Sequence, residues 1–543
     1  MRTEFIRIYK VVHTWTGILS GLALFIAFYA GAITVFKEPL SEWSQSPSHI
    51  PVTSFSDASK LITLTLNEYP ESQQDFNLFI QEQNGGDKGV QMHWRASDAN
   101  KASEEEAPPT KTYQSTLTED GGLLVKEGAL NQLAVFIDVI HRVVGLPLDN
   151  MPSRYFMGII ATLYTLALFS GVVVLLPSLV KDLFAFRIGK NLKRMWLDAH
   201  NVIGVFSLPF HLVMALTAAV FAFHDGIYTV QETLFPGSAN ASGAPPGNTK
   251  KTTAPAPSPA VLMAPEDILR TVTNIAPKFT PNKMQYQNVL GMNPTVRVWG
   301  HDETALSPRP AGGFIVLNPY SGKIINTDFL PGHQDSARTT ISSFFALHMA
   351  TYGGLTVKWL YFFLGLGGAW LFYSGNLLWI ETRRKRLNPA ADTAPQQKRS
   401  CEILASITLG VCFGCISGIS LTIAAQKWFQ IDGNGFSSPP YFTYYLTFFA
   451  CIAWALLAGA ARSAVHLLWV SAFCTALIPL SALAVMGNTL FSLSPTSSSN
   501  MGICVTGVLG SGIFVMMAFF TKKSQKSGPK DRVWSVSNNK KTA

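Results

Sequence analysis

Eight stretches of this chain are apolar over about 20 residues, the length a helix needs to cross a hydrocarbon layer roughly 30 Å thick. They cover residues 11–36, 155–176, 200–223, 355–380, 403–425, 441–460, 463–485 and 502–520. A mean hydropathy of +0.22 and 14% charged residues over 543 positions exclude a soluble globule or a disordered chain. The net charge of +9 is a matter of topology and does not call for a nucleic-acid partner. The basic residues gather beside the apolar runs: Lys181, Arg187, Lys190, Lys193 and Arg194 after the second, Arg383-Arg384-Lys385-Arg386 after the fourth, and Lys522, Lys523, Lys526, Lys530 and Arg532 in the tail. Cytoplasmic loops attract Lys and Arg. Eight spans with both termini cytoplasmic put every basic cluster inside and both long polar regions, 37–154 and 224–354, outside.

The first apolar run follows Arg2, Arg7 and Lys10 and is 26 residues long. It exceeds a secretory h-region, so a retained anchor is expected even though Ala30-Gly31-Ala32 has the small residues of a cleavage site. Each polar region reads as a small α/β module. In the first, 57–68 has helical apolar spacing, and strands at 77–81 and 90–94 flank a hairpin signal, Asn84-Gly85-Gly86-Asp87. In the second, Pro265-Glu266-Asp267 opens a helix, and strands at 313–317 and 323–326 flank the turn Asn318-Pro319-Tyr320-Ser321-Gly322. Residues 237–260, rich in Pro, Ala, Gly and Ser, read as a linker. Neither module holds a phosphate loop, a catalytic triad pattern or a metal-spaced histidine cluster. The six cysteines all lie between 401 and 504, so no disulfide framework holds the polar regions. Cys412 and Cys415, in the fifth run, read as small packing residues.

The chain repeats itself. His13 and Gly17 open the first run as His200 and Gly204 open the third; His141 precedes the second run and His348 the fourth; Phe169-Ser170-Gly171 matches Tyr373-Ser374-Gly375. The offsets of 187, 207 and 204 residues describe one unit of span, polar domain, histidine and span, copied once.

An ionisable side chain in a membrane helix marks a functional site by default, and imidazole is a common axial ligand of haem iron. Repeat-related residues should surround a pseudo-two-fold axis, where a planar cofactor takes one ligand from each copy. Symmetry and depth therefore pair His13 with His200 at the inner side, with Gly17 and Gly204 allowing a porphyrin close to the backbone. The same argument pairs His141 with His348 at the outer side. His211 has no repeat partner, since Phe28 or its neighbours occupy the equivalent part of the first run. Eleven residues beyond His200, it is expected on nearly the same helix face, about 16 Å along the axis. It is a candidate outer ligand, a proton-path residue or a packed neutral side chain. His224, beside Asp225 at the outer end of the third run, reads as interfacial, and the remaining histidines carry no spacing signal.

The stretches Tyr9-Lys10-Val11-Val12-His13-Thr14-Trp15-Thr16-Gly17, His141-Arg142-Val143-Val144-Gly145, Trp196-Leu197-Asp198-Ala199-His200-Asn201-Val202-Ile203-Gly204 and Leu347-His348 resemble the PepSY-associated transmembrane family, and 318–324 resembles the strand–turn–strand of a PepSY module. The resemblance covers about residues 1–385. It implies an inner-membrane protein of the ferric-siderophore reductase kind, with haem b, two copies expected, held by His13, His200, His141 and His348. Electrons would pass from a cytoplasmic donor protein or a membrane quinol to Fe(III) held by a chelator outside. His348-Met349-Ala350 departs from the family, which commonly has a glycine soon after this histidine, and the last four runs lie beyond the resemblance. Two other classes stay open: a transporter of the iron chelate, against which stands the lack of paired broken spans, and a regulator whose modules bind a partner such as a peptidase.

Overall fold

In a hydrocarbon layer no water satisfies the backbone, and a helix bonds every group within its own segment; the apolar runs accordingly form helices. The computed structural model describes residues 3–44, 52–82, 87–97, 110–128, 133–179, 192–234, 262–291, 293–309, 311–387, 395–428, 440–491 and 495–535. The hairpin residues 84–86, the linker 237–260 and Lys181, Arg187 and Lys190 lie outside them. The helices are α1 (Thr3–Thr34), α2 (Lys37–Trp43), α3 (Ala58–Glu68), α4 (Leu133–Arg142), α5 (Met151–Leu175), α6 (Leu192–Phe206), α7 (Leu208–Leu234), α8 (Pro265–Ile275), α9 (Ser336–Met349), α10 (Gly354–Thr382), α11 (Arg399–Trp428), α12 (Pro440–Met486) and α13 (Pro495–Ser527). The strands are β1 (Thr53–Ser54), β2 (Asp75–Glu82), β3 (Lys88–Ser97), β4 (Thr110–Leu117), β5 (Leu123–Gly128), β6 (Thr280–Gln287), β7 (Thr295–His301), β8 (Gly313–Leu317) and β9 (Ile324–Asn326). They fall into two compact units. One comprises Met1–Ser46, Asn131–Thr229 and Lys358–Ala543; the other comprises Pro47–Leu130 and Val230–Val357.

Among the described residues of the helical unit, six helices are long and apolar enough to cross a membrane: α1, α5, α10, α11, α12 and α13. The third apolar run, expected as one uninterrupted span over 200–223, is instead broken. Its parts, Lys193–Phe206 and Leu208–His224, meet at 70°. Pro209 accounts for the break, because it offers no N–H to the carbonyl of Val205 and its ring crowds that carbonyl. Helix α12 is 47 residues long and is interrupted at Gly459, whose φ of 75° and ψ of 160° are not helical. That interruption falls next to the boundary expected between the sixth and seventh runs.

The C-terminal helices build their own core. Gly410, Gly414 and Gly418 recur every fourth residue of α11, and a Cβ at Gly410 would stand 2.7 Å from the Ile452 Cα. Small residues at this spacing let two helices approach closely in a membrane. Ser417 bonds Ser471 at 3.0 Å and Ser420 bonds Thr475 at 3.1 Å across the same seam. Cys412 and Cys415 are buried free thiols among these packing residues. This block also grips the first half of the chain. The indole of Trp43 donates to the Ile423 carbonyl at 2.8 Å, and Lys427 lies 4.5 Å from the centre of the same ring. Tyr445 donates to the Gly145 carbonyl at 3.1 Å, and Phe136 of α4 packs against Tyr441, Tyr444 and Tyr445.

The other unit is an antiparallel sheet in the order β5-β4-β3-β2-β6-β7-β8-β9, with β1 pairing β3. The expectation of two separate modules is revised here. The register Asp75↔Gln287 to Phe79↔Lys283 joins β2 of the first polar region to β6 of the second. Strand alternation puts Phe76, Leu78, Met92, Trp94, Met284, Tyr286, Val298 and Ile315 on one face, where they form a core with Leu61 and Leu66 of α3 and Ile268 and Val272 of α8. The expected strands at 77–81, 90–94 and 313–317 lie within β2, β3 and β8, and the one at 323–326 forms as β9 without its first residue; β4 to β7 carry no signal that the sequence reading used. The turn at 318–322 forms as expected. Asn318 Oδ1 accepts from the backbone N–H groups of Tyr320 and Ser321 at 2.9 and 3.1 Å, and Gly322 takes a φ of 66° that favours glycine.

Candidate functional site

Helices α1 and α6, which open the two copies of the repeat, bring His13 and His200 together with ring centres 6.4 Å apart. Two imidazoles on opposite sides of one metal, each with a metal–nitrogen bond of about 2 Å, have ring centres about 6 Å apart. The supporting contacts fix which nitrogen is available. Nδ1 of His13 lies 2.8 Å from the Ala167 carbonyl oxygen, which only accepts, so this nitrogen carries the proton. Nδ1 of His200 lies 2.9 Å from Ser374 Oγ. The Ser374 hydroxyl gives its own proton to the Leu371 carbonyl at 3.0 Å, so it accepts from His200 as well. Both rings therefore keep the Nε2 lone pair for a ligand, and such partners orient metal-binding imidazoles and raise their basicity.

The glycines around this pair divide into two kinds. Beside Gly17, one turn from His13, a Cβ would meet nothing within 4 Å, and beside Gly204 it would meet only Leu371 Cδ2 at 3.9 Å. This is the open ground a macrocycle lying against the backbone requires. Gly171 is a seat instead: a Cβ there would stand 2.9 Å from His13 Cε1, and one at Gly375 would stand 3.8 Å from His200 Cε1. The duplicated Ser-Gly pair was visible in the sequence as a repeat. Its use as the support of the inner histidines was not.

His141 lies one residue before the end of α4 and rests on α1. Its Nδ1 donates to the Ala27 carbonyl at 2.8 Å, and it fills a notch at Gly31, where a Cβ would stand 2.8 Å from Nδ1. The sequence marked Gly31 only as part of a small-residue run. A chain of ion pairs holds α4 beside the neighbouring helix ends: Lys37–Asp138 at 3.3 Å, Arg142–Asp138 at 3.3 Å, Arg142–Asp149 at 3.0 Å and Arg154–Asp149 at 3.1 Å. Burial pushes the Asp149 carboxyl up, but the Arg154 hydrogen bond and the Arg142 and Arg154 charges outweigh it and leave the group below the usual carboxylate range. His348 lies one residue before the end of α9, half-buried, ahead of Ala350 in the left-handed conformation. It belongs to the sheet unit, whereas His13, His141, His200 and His211 belong to the helical unit.

His211 stands apart. It is 2% exposed and sits beyond the break in the third run, which overturns the expectation that it shares one straight helix face with His200. Tyr164 OH lies 2.6 Å from its Nδ1 and 3.2 Å from its own carbonyl oxygen. Nε2 is buried with no hydrogen-bond partner among the described residues. Phe28, the residue expected to occupy the equivalent part of the first run, lies with its ring centre 5.5 Å from that of His211. Tyr164 and Phe372 add their rings to Phe28 at 5.7 and 5.1 Å. A buried polar atom without a partner is costly. Among the described residues of the helical unit, His211 is thus a further place where a buried imidazole nitrogen is left without a partner.

Among curated proteins none matches this chain. The model of the PepSY-associated TM region matches residues 11–382, a span that begins just before His13 and ends at the close of α10. With the duplicated histidines, their supports and the sheet all inside that span, the chain belongs to the family of the PepSY-associated TM region.

Proposed function

We propose that this protein holds haem b in a cytoplasmic membrane and passes electrons outward to an Fe(III) chelate of the siderophore class, releasing Fe(II). The observation that carries this reading is the His13–His200 pair, with ring centres 6.4 Å apart and each Nδ1 already committed to the protein. Haem b bound there would supply one-electron transfer at a potential set by its axial ligands and their hydrogen bonds. The chain's own part is to orient both imidazoles through Ala167 and Ser374 and to leave room beside Gly17 and Gly204. Phe28 and Phe372 keep the interior around His211 apolar, and the Tyr164 hydroxyl holds its Nδ1. His141 and His348 are the candidate ligands of a second haem on their repeat positions in the sequence, and His211 is the further candidate on its buried Nε2. In this reading the broken pair counts as one crossing and α12 as two, eight in all, and the distribution of basic residues supports both termini in the cytoplasm and the sheet outside. The donor would be a quinol or a cytoplasmic protein.

The test is a reduced-minus-oxidised absorbance spectrum and a haem count on the purified protein. A b-type spectrum is expected, and His13→Ala and His200→Ala should each lose the same haem. Absence of any b-type signal from protein purified with haem supplied sinks the reading. The break at Pro209 favours one rival, a transporter of the chelate, because broken helices build midplane sites in transporters. Uptake of labelled chelate into proteoliposomes without reductant would support that rival.

A further inference from the structure

The face of the sheet turned away from its core carries an unusual set of side chains. Phe79, Lys283, Trp299 and Phe314 stand directly opposite one another on four successive strands. Lys283 Nζ lies 4.9 Å from the Trp299 ring centre and 5.9 Å from that of Phe79. In the adjacent row, Arg297 stands over Phe314 at 5.5 Å, and His93 meets Phe79 at 4.7 Å. The cations Lys283 and Arg297 are thus interleaved with the rings of Phe79, Trp299 and Phe314 across β2, β6, β7 and β8. Cation–π contacts account for part of this order, yet they leave hydrogen-bond capacity unused. Arg297 Nε and His93 Nε2 are buried with no partner among the described residues, and neither Lys283 nor Arg297 has a carboxylate partner among them. Asp75 is the one carboxylate that the described residues of β2, β3, β6, β7 and β8 place on this face, and it is occupied with the Asn288 N–H at 2.9 Å.

Unpartnered donors and cations interleaved with ring faces complement a ligand that is both anionic and aromatic. Of the common iron(III) chelates, catecholate complexes have that chemistry: their oxygens carry net negative charge on flat rings. Trihydroxamate complexes have a neutral iron core on an aliphatic backbone and carry no net negative charge at that core. We propose that this face is the binding site for an anionic catecholate chelate of iron(III), with Lys283 and Arg297 as its charge partners and Trp299 and Phe79 as its ring contacts. Burial lowers Lys283 and Arg297 from their ordinary values, and an anion placed beside them would relieve that cost. The substrate class rests on the reductase reading above; the site itself does not.

The experiment uses the full-length protein in nanodiscs and the gallium(III) complex of a triscatecholate, which binds like the ferric complex and cannot be reduced. Binding is followed by tryptophan fluorescence, with a gallium trihydroxamate in parallel. The expected result is saturable binding of the catecholate, weakened by high salt, with the hydroxamate at least about tenfold weaker. Lys283→Met and Arg297→Met should each weaken the catecholate about tenfold or more, while Lys283→Arg retains it and shows that the sheet has folded. Equal binding of the two complexes, or unchanged binding in both Met variants, overturns the proposal. So does a face that responds only to vesicles of anionic lipid. Catecholate binding by protein with no b-type spectrum would leave the site standing and remove the reductase reading; a b-type spectrum without such binding would do the reverse.

Discussion

A Cβ at residue 171 would put a methyl group 2.9 Å from His13 Cε1, well inside contact distance. Gly171→Ala is therefore expected to push the imidazole off its seat on Ala167 and to lower the haem content of the purified protein. The helices should keep their circular dichroism, and the pyridine-haem count reads the difference. His93 makes a second prediction at this scale. Burial lowers it to about 4, so the folded sheet holds it neutral while the unfolded chain protonates near 6.5. Its contribution to stability is complete above about 6.5 and drains away as pH falls toward 4. Thermal melts followed by tryptophan fluorescence should show this slope, and His93→Gln should flatten it. The histidines themselves were legible because duplication makes residue identities recur at matched positions. Their partners were mostly not. Ala167 and Ala27 act through backbone carbonyls, and a carbonyl has no letter in a sequence. Tyr164 could be connected to His211 only once the helices were packed.

At the scale of elements, hydropathy measured the length of the membrane segments well and their straightness badly. Pro209 was in plain view, but prolines are tolerated in membrane helices when neighbours satisfy the freed carbonyl. The 70° break follows from packing that a linear pattern does not contain. The long α12 is the opposite case, because its interruption lay where the apolar run paused. Gly459 there holds φ 75° and ψ 160°, a combination available essentially to glycine alone. A Cβ at this position meets nothing within 4 Å, so backbone strain is the whole effect. Gly459→Ala should cost about 1–3 kcal/mol, seen as a lower unfolding midpoint in detergent. If the proposed haem is bound, its spectrum should stay as it was, because Gly459 carries none of the candidate ligands or their hydrogen-bond partners.

For the whole molecule, the internal duplication foretold which residues would correspond, and the polar regions were legible as α/β by their local patterns. That they share one sheet was not legible, because the pairing of β2 with β6 depends on residues about two hundred positions apart and neither strand announces its neighbour. The four C-terminal runs, which repeat nothing, gain a role from packing: through Trp43, Phe136 and Gly145 they brace α2 and α4, and with them His141. The shared sheet also has a consequence in time. A ribosome adding about 5–20 residues per second needs on the order of 10–40 s to travel from β2 to β6. Throughout that interval the β2 edge is an open ladder of unpaired N–H and C=O groups, the kind of template on which chains aggregate. A chain ending before β6 would keep that edge permanently, so the first half of this protein should need a chaperone or a neighbouring copy until its second half arrives.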